Sequence, residues 1–178
     1  DAFWAASFAQ GVNDSGLIVG GMFVKFSQPG HAFAPPREKL RDLGTGFGSG
    51  SYSLALDVNN KGEIVGQRSS EQAAPQGAFL FRNREFIDLG TLGGDDRIPF
   101  GTNSVAYAIN NKSQVVGTAL PPTYPLHAFL WQDGVMQDLG TLGGDQEATM
   151  ARAINEAGHV AGNSPIASGA MRAFLWTN

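Results

Sequence analysis

The sequence contains no cysteine. That excludes disulfides, zinc–thiolate sites, iron–sulfur clusters and cysteine nucleophiles. It leaves the compartment open, since a secreted chain of 178 residues can build a core without cross-links. No apolar run approaches the length of a membrane helix, so membrane insertion is not expected. Charge is scarce as well. Asp, Glu, Lys and Arg make up 16% of the chain, where about 25% is usual. The net charge of -4 comes without any cluster of Lys and Arg. Phosphate neutralisation needs such a cluster, so neither nucleic acid nor an anionic lipid surface is an expected partner. No stretch shows a helical period, and almost no helix is predicted. No signal peptide is visible, and the first residue is Asp1 rather than Met, which points to a processed product.

What is plentiful is glycine, with 24 residues, nearly double the usual share of about 7%. Together with many β-branched and aromatic residues, this composition suits an all-β protein with many tight turns. The chain also repeats itself. HAFLWQDGVMQDLGTLGG at 127–144 returns as GAFLFRNREFIDLGTLGG at 77–94 and, more worn, as HAFAPPREKLRDLGTGFG at 31–48. A further copy starts as RAFLWTN at Arg172. Ahead of each copy lies a pair of short segments around a turn: AQGVN-DSG-LIVG, LALDVN-NKG-EIVG, VAYAIN-NKS-QVVG and ARAIN-EAG-HVAG. Each pair reads as a β-hairpin. Asn13, Asn59, Asn110 and Asn155 can bond their own turn through the side chain. Gly16, Gly62 and Gly158 supply its left-handed residue, and Ser113 holds that place under strain.

The third segment of each unit is the AFLW run, a continuous apolar stretch that reads as a buried strand. Asp133-Gly134 and Asn83-Arg84 then signal a second hairpin. The fourth segment, at 40–43, 86–89 and 135–139, runs into Leu-Gly. The unit is therefore strand-turn-strand-loop-strand-turn-strand, about the length of a propeller blade at roughly 40–50 residues. The fold class expected is an all-β β-propeller of four-stranded blades, about four of them, with repeats at approximately 9–50, 54–104, 105–150 and 151–178. Residues 1–7, with Phe3 and Trp4, are the candidate closing strand. The alternative is part of a larger ring.

The HAFLW run at 127–131, the two DLGTLGG stretches at 88–94 and 138–144, and the AIN and VVG pieces at 108–110 and 115–117 resemble the bacterial "extracellular repeat, HAF" family. The resemblance covers nearly the whole chain. It implies a secreted or surface-exposed protein of propeller-like architecture with no settled activity. Gly77 and Arg172 replace the name-giving His in two copies, and Ala34-Pro35 replaces Leu-Trp in the first.

Residues repeated once per unit usually build the unit. On that ground His31 and His127 are read as strand-start residues rather than metal ligands, and no metal site is expected. Asp42, Asp88 and Asp138 are read as turn caps rather than converging carboxylates. Trp131, Trp176, Phe79, Phe129 and Phe174 are read as packing between blades. Tyr124, Tyr52 and Phe100 stand instead among Pro, Gly and Ser, where exposed aromatics can stack on sugar rings, with Arg97 and Arg68 as loop cations beside them. These five are the candidate ligand-binding residues. There is no G-x-S-x-G elbow, no His-Glu-x-x-His and no dinucleotide fingerprint. No catalytic residue and no cofactor is assigned, and the reading leans away from an enzyme. The function expected is a secreted binding or scaffold module that contacts a glycan, surface polymer or protein through non-repeated loops. The alternatives are a carbohydrate hydrolase or lyase, and self-association through an open blade edge.

Overall fold

Each unit starts from its asparagine turn. In the computed structural model, which describes residues 6–23, 30–34, 41–46, 51–69, 77–94, 103–144 and 147–177, Asn13, Asn59, Asn110 and Asn155 behave alike. Each accepts, through Oδ1, the backbone N–H groups two and four residues on, at 2.9–3.1 Å. Gly16, Gly62 and Gly158 take φ of 78°, 77° and 88°, and Ser113 is held at 64° in the same place. The four turns are thus closed by one side chain and one left-handed residue, as the sequence predicts.

The hairpins grow into four antiparallel sheets, each a meander in chain order. The first holds β1 (Ala6–Val12), β2 (Ile18–Phe23), β3 (His31–Phe33) and β4 (Asp42–Gly44). The second holds β5 (Tyr52–Val58), β6 (Ile64–Ser69), β7 (Gly77–Arg82) and β8 (Glu85–Gly90). The third holds β9 (Ser104–Ile109), β10 (Val115–Ala119), β11 (His127–Gln132) and β12 (Val135–Gly140). The fourth has three strands, β13 (Met150–Ile154), β14 (Val160–Pro165) and β15 (Met171–Trp176). No helix occurs among the described residues. The second hairpins turn on Asn83-Arg84 and Asp133-Gly134, all four at positive φ, the geometry that matches strand twist.

One glycine per sheet is dictated by a bulge. The opening strand of every sheet slips by one residue against its partner, between Ala9 and Gly11, Ala55 and Asp57, Ala106 and Ala108, and Ala151 and Ala153. Opposite the slip stand Gly20, Gly66, Gly117 and Gly162. A Cβ on any of them would overlap the carbonyl oxygen of Phe8, Leu54, Val105 or Met150. This is why LIVG, EIVG, QVVG and HVAG all end in glycine.

The sheets stack in chain order. Val19 and Ala32 of the first meet Ala55, Val58, Ile64 and Phe79 of the second. Val65 and Leu80 of the second meet Ile109, Val115, Phe129 and Trp131 of the third. Val116, Ala128 and Leu130 of the third meet Ala151 and Val160 of the fourth, with Phe174 and Trp176 packed alongside. Phe79 and Phe129 are fully buried, worth about 2 kcal/mol each. Among the described residues no packing of similar extent joins the fourth sheet to the first. Its AFLW run therefore alternates between exposed and half-buried residues rather than lying buried throughout as in the third sheet.

Polar rungs fasten the stack at both ends of the strands. At the turn end, Nδ2 of Asn13, Asn59 and Asn110 donates to the carbonyl of the next asparagine in the series, at 2.9, 3.0 and 3.0 Å. At the other end, the buried hydroxyls of Ser53 and Ser104 accept the N–H of Ala32 and Ala78 from the preceding sheet, both at 2.8 Å. They donate in turn to the carbonyls of Gly44 and Gly90. Ala6 and Ser7 pair with Phe23 and Met22 as the start of β1, so the last two residues of the candidate closing strand belong to the first sheet. Residues 1–5, including Phe3 and Trp4, lie outside the described residues.

Candidate functional site

The three repeated aspartates end their own strands. Oδ1 of Asp42, Asp88 and Asp138 accepts the N–H of Gly44, Gly90 and Gly140, at 2.6, 2.9 and 2.7 Å. Each glycine sits at positive φ, so the carboxylate closes the turn by which the strand leaves the sheet. The carboxylate also holds the start of the neighbouring strand. His31 Nδ1 lies 2.8 Å from Asp42, and His127 Nδ1 lies 2.9 Å from Asp138. In the second sheet, where Gly77 stands in place of the His, Arg68 comes across from β6 to meet Asp88 at 3.7 Å. Three carboxylates spent on three separate turns are not a converging pair, which removes the residues the hydrolase reading depended on. Among the described residues no group of three or more His, Asp or Glu is placed to hold a metal ion, and no helix is long and apolar enough to cross a membrane.

The candidate ligand residues among the described ones, Arg68, Tyr52 and Tyr124, stand in three different settings. Arg68 is no loop cation: it is a buried residue of β6. Its guanidinium stacks 5.3 Å from the centre of the Phe86 ring, over Gly46, whose missing side chain leaves it room. Burial lowers its pKa, and Asp88 works in the opposite direction. Tyr52 is the first residue of β5 and half-buried, with its hydroxyl 3.5 Å from Gln67 Nε2. Tyr124, in the connection between β10 and β11, is 71% exposed and fits the expected description. Phe100 and Arg97 lie outside the described residues.

A cleft forms elsewhere, where the third and fourth sheets meet at their turn ends. It has a volume of 180 Å³ and opens to solvent. Leu130, Val135 and Trp176 give it apolar walls, and Gln114, Gln132 and Gln137 supply amides. The amides are held in order. Asn110 Nδ2 donates to Gln114 Oε1 at 2.7 Å, and Gln114 Nε2 donates to Gln132 Oε1 at 2.9 Å. This relay fixes which way the Gln114 and Gln132 amides point. Gly158, at φ 88°, stands beside the Gln114 amide, and a Cβ there would meet Oε1 only in ordinary contact at 3.4 Å. Among the described residues no charged side chain lines the cleft.

The corresponding positions between the second and third sheets are Glu63, Arg82, Glu85 and Ile87 in place of Gln114, Gln132, Val135 and Gln137. There Glu63 is engaged by Ser113 and Asn59 instead. The cleft therefore belongs to one junction and not to the repeat. The sequence reading passed over it because glutamine carries no motif. The available signal was the appearance of three neutral amides where the second copy holds Glu63, Arg82 and Ile87. Trp176, read as packing, does pack on the third sheet, and also forms one wall. No protein-family model, curated protein or solved structure matches the chain.

Proposed function

We propose that this chain is an extracellular β-propeller-type binding module in which the stacked sheets act as blades. The cleft between the third and fourth takes a neutral, hydroxyl-rich ligand, a glycan or surface polymer. The extracellular setting and the propeller architecture follow the resemblance to the HAF repeats. The ligand class follows the cleft. Amides donate and accept at once and suit hydroxyl groups, while an indole beside them suits the apolar face of a sugar ring. A site without charge gives no preference for phosphates, nucleic acids or charged peptides. The observation that carries the reading is the set of three glutamines around Trp176, with no charged side chain among the described residues that line the cleft.

Titration calorimetry with neutral oligosaccharides, chosen by a glycan array, tests it. Gln137→Ala removes a pair of hydrogen bonds to a bound hydroxyl group and is expected to weaken binding about 30-fold, at roughly 1 kcal/mol per bond. Trp176→Phe keeps the packing and should weaken it by a smaller factor. Tyr124→Ala should leave it unchanged. Binding that survives both cleft variants and disappears in Tyr124→Ala would move the site to the loops and refute the cleft.

A further inference from the structure

The four sheets pack through the same positions, so the uncovered faces can be compared with the covered ones. Towards the following sheet, the first three present Val19, Ala32 and Ala34, then Val65, Ala78 and Leu80, then Val116, Ala128 and Leu130, all buried. The fourth presents Ala161, Ala173 and Leu175, all exposed, with Leu175 at 69%. Towards the preceding sheet, Ala55, Val58 and Ile64, and again Ala106, Ile109 and Val115, are buried. Their counterparts in the first sheet, Ala9, Val12 and Ile18, are exposed, Val12 at 64% and Ile18 at 40%. The polar rungs stop at the same two faces. Among the described residues Asn155 Nδ2 has no carbonyl of a further sheet to donate to, and reaches only His159 of its own turn at 3.4 Å. Among the described residues the Asn13 carbonyl accepts only the N–H of Gly16, where those of Asn59, Asn110 and Asn155 also accept an amide from the sheet before. Ser7, the counterpart of Ser53 and Ser104, is exposed.

We infer that these are the two halves of one interface, and that the fourth sheet of this protein docks on the first sheet of a second copy, head to tail. What each face lacks, the other supplies in the register used three times within the chain. Leu175 and Ala173 cover Val12, Ile18 and Ala9. Asn155 Nδ2 donates to the Asn13 carbonyl of the second copy, and its Ser7 hydroxyl accepts the N–H of Ala173. One feature of the join is unfavourable. Within the chain the outer rungs pair an amide with a carboxylate, Asn60 with Asp14 at 2.6 Å and Asn111 with Glu156 at 2.7 Å. Head to tail, Glu156 meets Asp14, two carboxylates. Both are exposed, so the repulsion is small and is screened by salt. Association is therefore weakest at low ionic strength. The contact is heterologous: it closes on two copies where the curvature fits and otherwise continues as a chain.

Sedimentation velocity from micromolar to millimolar protein tests this. The wild type should reach at least twice the monomer mass, more readily in salt. Leu175→Lys and Val12→Lys, at exposed positions that leave the fold intact by circular dichroism, should each remain monomeric. Mixed together they should form a one-to-one dimer, because each variant retains the face the other has lost. Glu156→Gln keeps its acceptor for Asn111, gives Asp14 of the second copy a donor, and should lower the dissociation constant about 2- to 5-fold. A wild type that is monomeric at every concentration overturns the proposal. So does a Val12→Lys variant that self-associates undiminished, since the contact would then join like faces, and so does a Glu156→Gln variant of unchanged affinity.

Discussion

Asn59 and Asn155 occupy the same turn in the second and fourth sheets, and truncating each to alanine should have unequal costs. Asn59 is buried, and its amide is saturated. Oδ1 accepts from Lys61 and Glu63 at 3.0 Å each, while Nδ2 donates to Glu63 Oε2 at 2.5 Å and across the sheet boundary to the Asn110 carbonyl at 3.0 Å. At about 1 kcal/mol net per hydrogen bond, with backbone groups left dry, Asn59→Ala should destabilise the protein by about 3–4 kcal/mol. Asn155 is exposed, and its side chain makes the same two bonds to its own turn, at 3.0 and 2.9 Å, but among the described residues none to another sheet. Water can replace those two, so Asn155→Ala should cost about 1 kcal/mol. The measurement is equilibrium urea unfolding at dilute protein, comparing midpoints at equal slope. Asn59→Asp is the control for the two donors: it retains the acceptors, and sets a carboxylate against the Asn110 carbonyl and Glu63. It should cost at least as much as alanine. Equal losses for the Asn59 and Asn155 truncations, or a tolerated Asn59→Asp, would show that the rungs between sheets contribute little and that apolar packing alone holds the stack.

Two further outcomes follow from the same contacts. Gly117→Ala puts a methyl group into the Val105 carbonyl and against the Phe129 ring, and should cost about 3 kcal/mol or more by thermal or chemical unfolding, whereas alanine at the open Gly134 turn position should cost far less. Asp57 has its pKa raised from 3.8, chiefly by burial, against the pull of N–H groups from Ile109 and Val58; the folded state then binds the proton more tightly than the unfolded chain, so its contribution is fully present below 3.8 and is lost as pH rises through the raised value, and the difference in stability between wild type and Asp57→Asn should change across that window and flatten above it.

The turns were the most legible part of the fold, because their chemistry is local. An asparagine that bonds its own loop and a glycine three residues later need nothing from the rest of the chain, and all four formed in place. The strands of the AFLW run were legible as strands but not in their burial, since burial depends on whether a further sheet stands opposite. Leu130 and Leu175 sit in near-identical sequence, FLWQ and FLWT, yet one is buried and the other is not. Arg68 shows the same limit at a single residue. Nothing within 66–70 says that it must cross to Asp88; the reason lies nine residues on, at Gly77, where the histidine that would hold that aspartate is missing. The cleft was hidden for a third reason. Its residues come from β11, β12, β15 and two turns, and only the stacking of sheets brings Gln114 near Trp176.

These three limits share one cause, and it bears on where function can reside. Within a sheet, each unit meets its own demands: the bulge requires its glycine, the turn its asparagine, the strand end its aspartate. Such positions are fixed in every copy and cannot differ between copies without loss of the unit. Between sheets the demand is only that two faces match, and matching can be achieved with Glu63 and Ser113 at one junction or with Gln114 and Gly158 at the next. The junctions are therefore the places where a chain of near-identical units can become chemically specific without unfolding any of them. The cleft uses one such junction to present amides. The two uncovered faces, carrying Val12 and Leu175, retain much of the matching pattern, and depart from it in the three-stranded fourth sheet and in Glu156 brought against Asp14. A single exposed carboxylate pair is then enough to make association depend on salt while leaving the three internal junctions untouched.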